Sequence, residues 1–201
     1  LRARLRMLDG DTNGAIQDLQ RVTEDSPKDE HALLDLAQVY SLTDRFEEAS
    51  ASLTRAETLA PTLIDVWQTR VRLELERLSL DAALESLRRG IDKVASDEDR
   101  QRLHTRYVAM AYFGKRQRSL RLYSTERLAK DPNDRWGLCA EAEFTALNKD
   151  YKRAADLFGR CADKHPNYPE ARIQQFRILY LLKDKGESDP DLEPRLRRFL
   201  D

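Results

Sequence analysis

The chain has 201 residues, 40% of them hydrophobic, and its 35 Lys and Arg nearly balance 36 Asp and Glu. That length holds one or two ordinary domains or one repeat array, and only seven Gly and seven Pro favour an all-helical protein. No apolar run approaches the roughly 18 residues of a spanning helix, so no membrane insertion is expected; His31, His104 and His165 are scattered, and the one close pair, Cys161 with His165, is too few ligands for an expected metal site.

In chain order, Leu1, Leu5 and Leu8 share one face and read as the tail of a helix that begins upstream. The chain thus looks excised from a longer protein; it would be cytoplasmic, or periplasmic if an export signal has been removed. Residues 9–14 form a turn in which Gly10 suits the left-handed cap position. Ala15, Ile16, Leu19 and Val22 mark a second helix that ends at Ser26-Pro27. Leu33, Leu36, Ala37 and Tyr40 give the next, and Thr43-Asp44 turns the chain. Phe46, Ala49, Leu53 and Ala56 follow, up to Pro61.

Trp67, Val71, Glu74 and Leu75 then pair with Leu80, Ala83, Leu84, Leu87, Gly90 and Ile91. No proline stops this hairpin, and three additional residues are expected in a polar loop at Ser96-Asp97-Glu98-Asp99. The fourth hairpin is irregular. Leu103, Tyr107, Val108 and Ala111 suit its first helix and Gly114 its turn; Ser119 or Leu120 falls where alanine is expected, and Arg127 sits where Ala56 did. A slip of about one residue or a modified packing is expected there.

The fifth hairpin runs from Trp136 through Leu138, Ala142 and Leu147 into Tyr151, Ala154, Ala155, Phe158 and Cys161/Ala162, and stops at Pro166. Ile173, Phe176, Leu179 and Tyr180 are expected to face inward from a helix over 170–183 that Gly186 ends. Asp189-Pro190 opens a last helix with Leu192, Leu196, Phe199 and Leu200 on one face. Cys139 and Cys161 read as small buried thiols; a disulfide would join two helices of one repeat, and its geometry is not readable from spacing.

Several columns agree on one period. Ala15, Ala49, Ala83 and Ala154 are separated by 34, 34 and 71 residues, and Leu19, Leu53, Leu87 and Phe158 repeat those gaps, as do Val22, Ala56, Gly90 and Cys161. Two helices with one apolar face apiece cannot offset their ordering entropy alone, so the hairpins must stack. The expected architecture is an all-α solenoid, one array over 1–201 with repeats at about 1–27, 28–61, 62–98, 99–132 and 133–166, then additional helices over 167–201.

This pattern resembles the tetratricopeptide repeat, the 34-residue helix–turn–helix module. Leu36-Ala37 with Tyr40, Phe46, Ala49, Leu53, Ala56 and Pro61 match its scattered consensus; Tyr151, Ala154, Phe158 and Pro166 match its second half, and Trp67 its early aromatic column. The resemblance implies a right-handed superhelix whose concave face, lined by first helices, binds a peptide or protein. By that habit the partner-binding candidates are Gln38, Gln68, Arg72, Arg102, Arg106, Tyr112, Trp136, Glu143, Arg177 and Tyr180. Arg102 and Arg106 would mimic half of a carboxylate clamp. Trp136 is either an apolar anchor or a residue packed on the preceding loop.

No phosphate-cradling glycine loop, metalloprotease helix or nucleophile elbow is present, so no enzyme activity and no cofactor is expected. Charge is segregated instead. Residues 9–65 carry 13 acidic and 4 basic side chains, whereas 100–130 carry nine Lys or Arg against Glu126 alone. The basic stretch suits a partner with an acidic segment; nucleic acid is disfavoured because the acidic half would repel phosphate. The expected role is a protein-binding scaffold, part of a larger protein or assembly. The alternatives are a docking or regulatory segment of a larger enzyme or of an envelope or secretion machine, and self-assembly into a homo-oligomer through terminal faces.

Overall fold

The computed structural model describes residues 2–184 and 194. Leu1, Gly186 and the expected last helix with Leu192, Leu196, Phe199 and Leu200 lie outside the described residues. Eleven helices and no strand are present among the described residues, and the chain divides into two compact units. Unit 1, residues 1–110, contains α1 (Arg2–Leu8), α2 (Thr12–Asp25), α3 (Glu30–Leu42), α4 (Phe46–Leu59), α5 (Ile64–Glu76), α6 (Leu80–Lys93) and most of α7 (Asp97–Phe113). Unit 2, residues 111–201, contains the end of α7, α8 (Gln117–Lys130), α9 (Arg135–Leu147), α10 (Tyr151–Lys164) and α11 (Pro169–Asp184).

Consecutive helices pack on one another from α1 to α6 in unit 1 and from α8 to α11 in unit 2, and α3 also lies against α5. Aspartates start several of them: Asp11, Asp29, Asp134 and Asp150 each accept a backbone N–H three residues on. Every turn inside a hairpin uses a left-handed residue, Gly10, Asp44, Leu78, Lys115 or Lys149. The residue after it donates back to a carbonyl near the helix end, as from Arg45 N to Tyr40 O at 2.8 Å and from Ser79 N to Glu74 O at 2.8 Å. In the fourth hairpin Lys115, not the neighbouring Gly114, adopts that conformation.

The alanine column is the tightest part of the core. Ala15, Ala49, Ala83 and Ala154 are each fully buried as the fourth residue of their helix, with Leu19, Leu53, Leu87 and Phe158 buried one turn on. The third column is small for a specific reason: a Cβ on Gly90 would come within 2.8 Å of both Trp67 and Leu103. Val22 departs from that column and is 41% exposed, because α1 has seven described residues against 13 in α3 and does not reach the second half of α2.

The irregular fourth hairpin keeps its register. Leu120 is the fourth residue of α8, in the alanine column, and Ser124 takes the column of the large residue, so the order of small and large is inverted. The packing is modified and no residue slips. The three additional residues are not in a loop: Asp97, Glu98 and Asp99 form an extra first turn of α7, 17 residues long, after Ser96, whose hydroxyl accepts from Asp99 N. Acidic side chains at a helix N-terminus complement its dipole, so a polar stretch that reads as loop continues as helix.

Two further expectations need correcting. In α1 the buried residue is Ala3, with Leu5 and Leu8 turned to solvent. In α11 the buried row is Ala171, Gln175, Leu179 and Leu182, which leaves Ile173 and Tyr180 exposed and Phe176 half-buried. Gln175 sits inward where its amide lies over Gly159; a Cβ on that glycine would meet it at 2.4 Å.

Candidate functional groove on unit 2

Helices α9 and α11 bound an open groove of about 580 Å³. Glu143 comes from α9; Gln174, Phe176, Arg177, Tyr180 and Asp184 come from α11. Positions 174, 177, 181 and 184 follow each other at steps of three and four, so one face of α11 presents a single row. The helix is anchored from behind by Leu179 and Leu182, which pack with Ala155 of α10.

The groove has both apolar and charged walls. Phe176 and Tyr180 stack at 6.3 Å between ring centroids, and Tyr180 is 60% exposed. Arg177 donates to Gln174 Oε1 at 3.3 Å, which holds its guanidinium along the helix. Glu143 is half-buried, and loss of hydration pushes its carboxyl pKa above the usual range; the positive charge of Arg177 pulls the other way and does not cancel the effect.

Three of the ten sequence candidates, Glu143, Arg177 and Tyr180, therefore meet in one groove. Trp136 does not join them. It is 3% exposed, edge-on to Tyr168 at 5.5 Å, and the Arg135 guanidinium covers both rings at 4.2 and 4.9 Å. It is a core residue sealed by the α10–α11 connection, without a surface to offer as an anchor. Burial likewise pushes the Tyr168 hydroxyl pKa far up, so that phenol stays neutral. Tyr112 lies at the end of α7, exposed and edge-on to Phe113.

The other five lie in unit 1. Gln38 on α3 and Gln68 on α5 are half-buried, Arg72 is exposed, and Ser41 hydrogen-bonds Glu76 across these two helices. Arg102 is already engaged by Glu98 at 2.5 Å and Asp99 at 3.5 Å within α7, and Arg106 is half-buried. The basic stretch is neutralised further by Arg100 with Asp97 and Arg127 with Asp134. Sequence reading missed Gln174, Phe176 and Asp184 as groove walls. The helical spacing of Gln174 and Asp184 from Arg177 carries the signal, but the sequence alone phases α11 about one residue off.

Among the described residues no helix is long and apolar enough to cross a membrane, and no cluster of three His, Cys, Asp or Glu is placed to hold a metal.

Helix hairpins with a recurring small-and-large interface, and no sheet among the described residues, define a repeat protein of the all-α solenoid class. Residues 6–73 match the family model of the tetratricopeptide repeat. Tetratricopeptide repeats are therefore present over residues 6–73. No curated protein matches it in sequence. Among solved structures it resembles a chain of the Naa15/Naa10 complex bound to HypK-THB, with 13% identity over 92% of this chain and 29% of that one and a TM-score of 0.52. It also resembles MamA, with 15% identity over 84% and 90% and a TM-score of 0.48. The pilus biogenesis factor PilW has 14% identity over 99% and 95% and a TM-score of 0.48. At such identities the likeness is one of fold.

Proposed function

We propose that this chain is a non-catalytic scaffold that holds a protein partner, and that the partner presents an extended segment to the α9–α11 groove. The observation that carries this reading is the convergence of Glu143, Arg177 and Tyr180 on one open groove that also has a stacked aromatic wall. Tetratricopeptide repeats serve in general as protein-binding modules, which supports a protein rather than a small molecule as occupant. Gln174 to Asp184 spans about 15 Å at the helical rise, which matches about four or five residues of extended chain. Aromatic and arginine side chains suit the few contacts that dominate such interfaces.

The test is selection of peptides from a random library on the intact chain, followed by titration of the winners against Tyr180→Ala and Arg177→Glu. Both substitutions should weaken binding at least tenfold. Undiminished affinity in both would remove the groove from consideration.

A second reading, that the partner's segment is acidic, is favoured by the exposed cations Lys115, Arg118 and Lys130, which remain after Arg100, Arg102 and Arg127 have found carboxylates. It requires affinity that falls steeply with ionic strength; a flat salt profile excludes it.

A further inference from the structure

Cys139 on α9 and Cys161 on α10 are the two cysteines of the sequence. The hairpin brings their Sγ atoms to 3.3 Å in its buried core. At the equivalent places the second hairpin has Leu34 and Ala56 and the third has Gln68 and Gly90, so the facing thiols belong to the fifth hairpin alone. A buried cysteine is ordinarily a small apolar filler, and filling would need no second sulfur opposite the first.

We propose that Cys139 and Cys161 form an oxidation site, a dithiol that closes to an intramolecular disulfide in an oxidising environment and pins α9 to α10. A disulfide requires about 2.0 Å between sulfurs, so the gap closes by side-chain rotation with little movement of either helix. The oxidant is a small disulfide. The Cys139 thiolate attacks one of its sulfurs, a mixed disulfide forms and one small thiolate leaves. Cys161 then loses its proton and attacks the Cys139 sulfur, which expels the second small thiolate. The protein gives up two protons and two electrons, and the oxidant becomes two thiols. The hydrogen bond with the Cys161 sulfur, and then burial, push the Cys139 thiol pKa well up, so the folded hairpin reacts slowly and the pair is oxidised fastest before the hairpin closes.

The experiment equilibrates the intact chain in mixtures of oxidised and reduced glutathione after unfolding and refolding. Remaining thiols are alkylated under denaturing conditions and the products weighed. The expected product is a monomer lighter by two hydrogen atoms, with the Cys139 and Cys161 peptides cross-linked, and with a higher Tm than the reduced form. Cys161→Ala, which restores the residue of the Ala56 column, should show no such oxidised product and no reductant-dependent Tm. Because that variant can lose stability for other reasons, the reductant-reversible Tm difference of the unmodified chain is a separate readout. Two thiols alkylatable at every mixture, or glutathione adducts and cross-linked dimers in place of the internal bond, would overturn the proposal.

Discussion

Ser124 donates its hydroxyl to Glu141 Oε2 at 2.7 Å, with both side chains buried between α8 and α9. This polar contact replaces the apolar one that Leu19, Leu53, Leu87 and Phe158 make at the same position in the other hairpins. Arg153 approaches the other oxygen of Glu141 at 3.4 Å. Removing one partner of a buried hydrogen bond leaves the other unsatisfied at a cost of about 1–3 kcal/mol. Ser124→Ala should therefore destabilise unit 2 by about that amount in urea denaturation. The double replacement Ser124→Leu/Glu141→Leu should recover most of the loss, since apolar replacement of a whole polar pair is often neutral. A silent Ser124→Ala would show that the hydroxyl contributes nothing.

The alanine column makes a second prediction. Ala49 and Ala154 have no exposed surface, and each is followed one turn later by a large buried side chain. Leucine at either place overpacks the interface at about 1–3 kcal/mol. Hydrogen exchange should accelerate in α3 and α4 for Ala49→Leu and in α9 and α10 for Ala154→Leu, the helices packed on each site. Exchange that rises equally across both units would contradict the local contact.

Leu78 lies in the left-handed region at φ 57° and is 93% exposed, so it bears backbone strain without packing anything. An L residue pays roughly 1–2 kcal/mol there, and glycine's added freedom in the unfolded chain offsets about half of it. Leu78→Gly should raise stability by about 0.5–1 kcal/mol, read as a higher Tm. A lower Tm would mean that the side chain has a contact role.

Glu143 gives a pH signature. Its folded pKa is raised by burial, against about 4.3 when unfolded. The folded state therefore holds the proton more tightly, and the stability this contributes is complete below about pH 4 and lost as pH rises through the raised value. Glu143→Gln carries no such titration. It should be more stable than the parent at pH 7, with the difference fading below about pH 4. A constant gap across that range would place the effect outside ionisation. Glu143 also lines the proposed groove.

Much of the fold was legible because a repeat reports itself several times. The columns of Ala49, Leu53 and Ala56 located the hairpins, and Pro61 and Pro166 marked their ends. The departures share a cause: a helix face is readable where one side is apolar and ambiguous where both sides carry large side chains. α11 has Ile173, Phe176 and Tyr180 on one side and Leu179 and Leu182 on the other, and only packing against α10 decides between them. Arg70 is the converse case. It carries a charge, yet it is 6% exposed because Glu57, Ser50 and Thr54 all turn towards it. Of the candidate groove, single residues such as Arg177 are singled out by the tetratricopeptide resemblance, while the groove itself needs the phase of α11.

The most direct test is amide hydrogen exchange on the intact chain with and without a selected peptide ligand. Slowed exchange is expected in α9 and α11, around Glu143 and from Gln174 to Asp184, and lost with Tyr180→Ala. Protection confined to α3 and α5 in unit 1, with α9 and α11 unchanged, would contradict it.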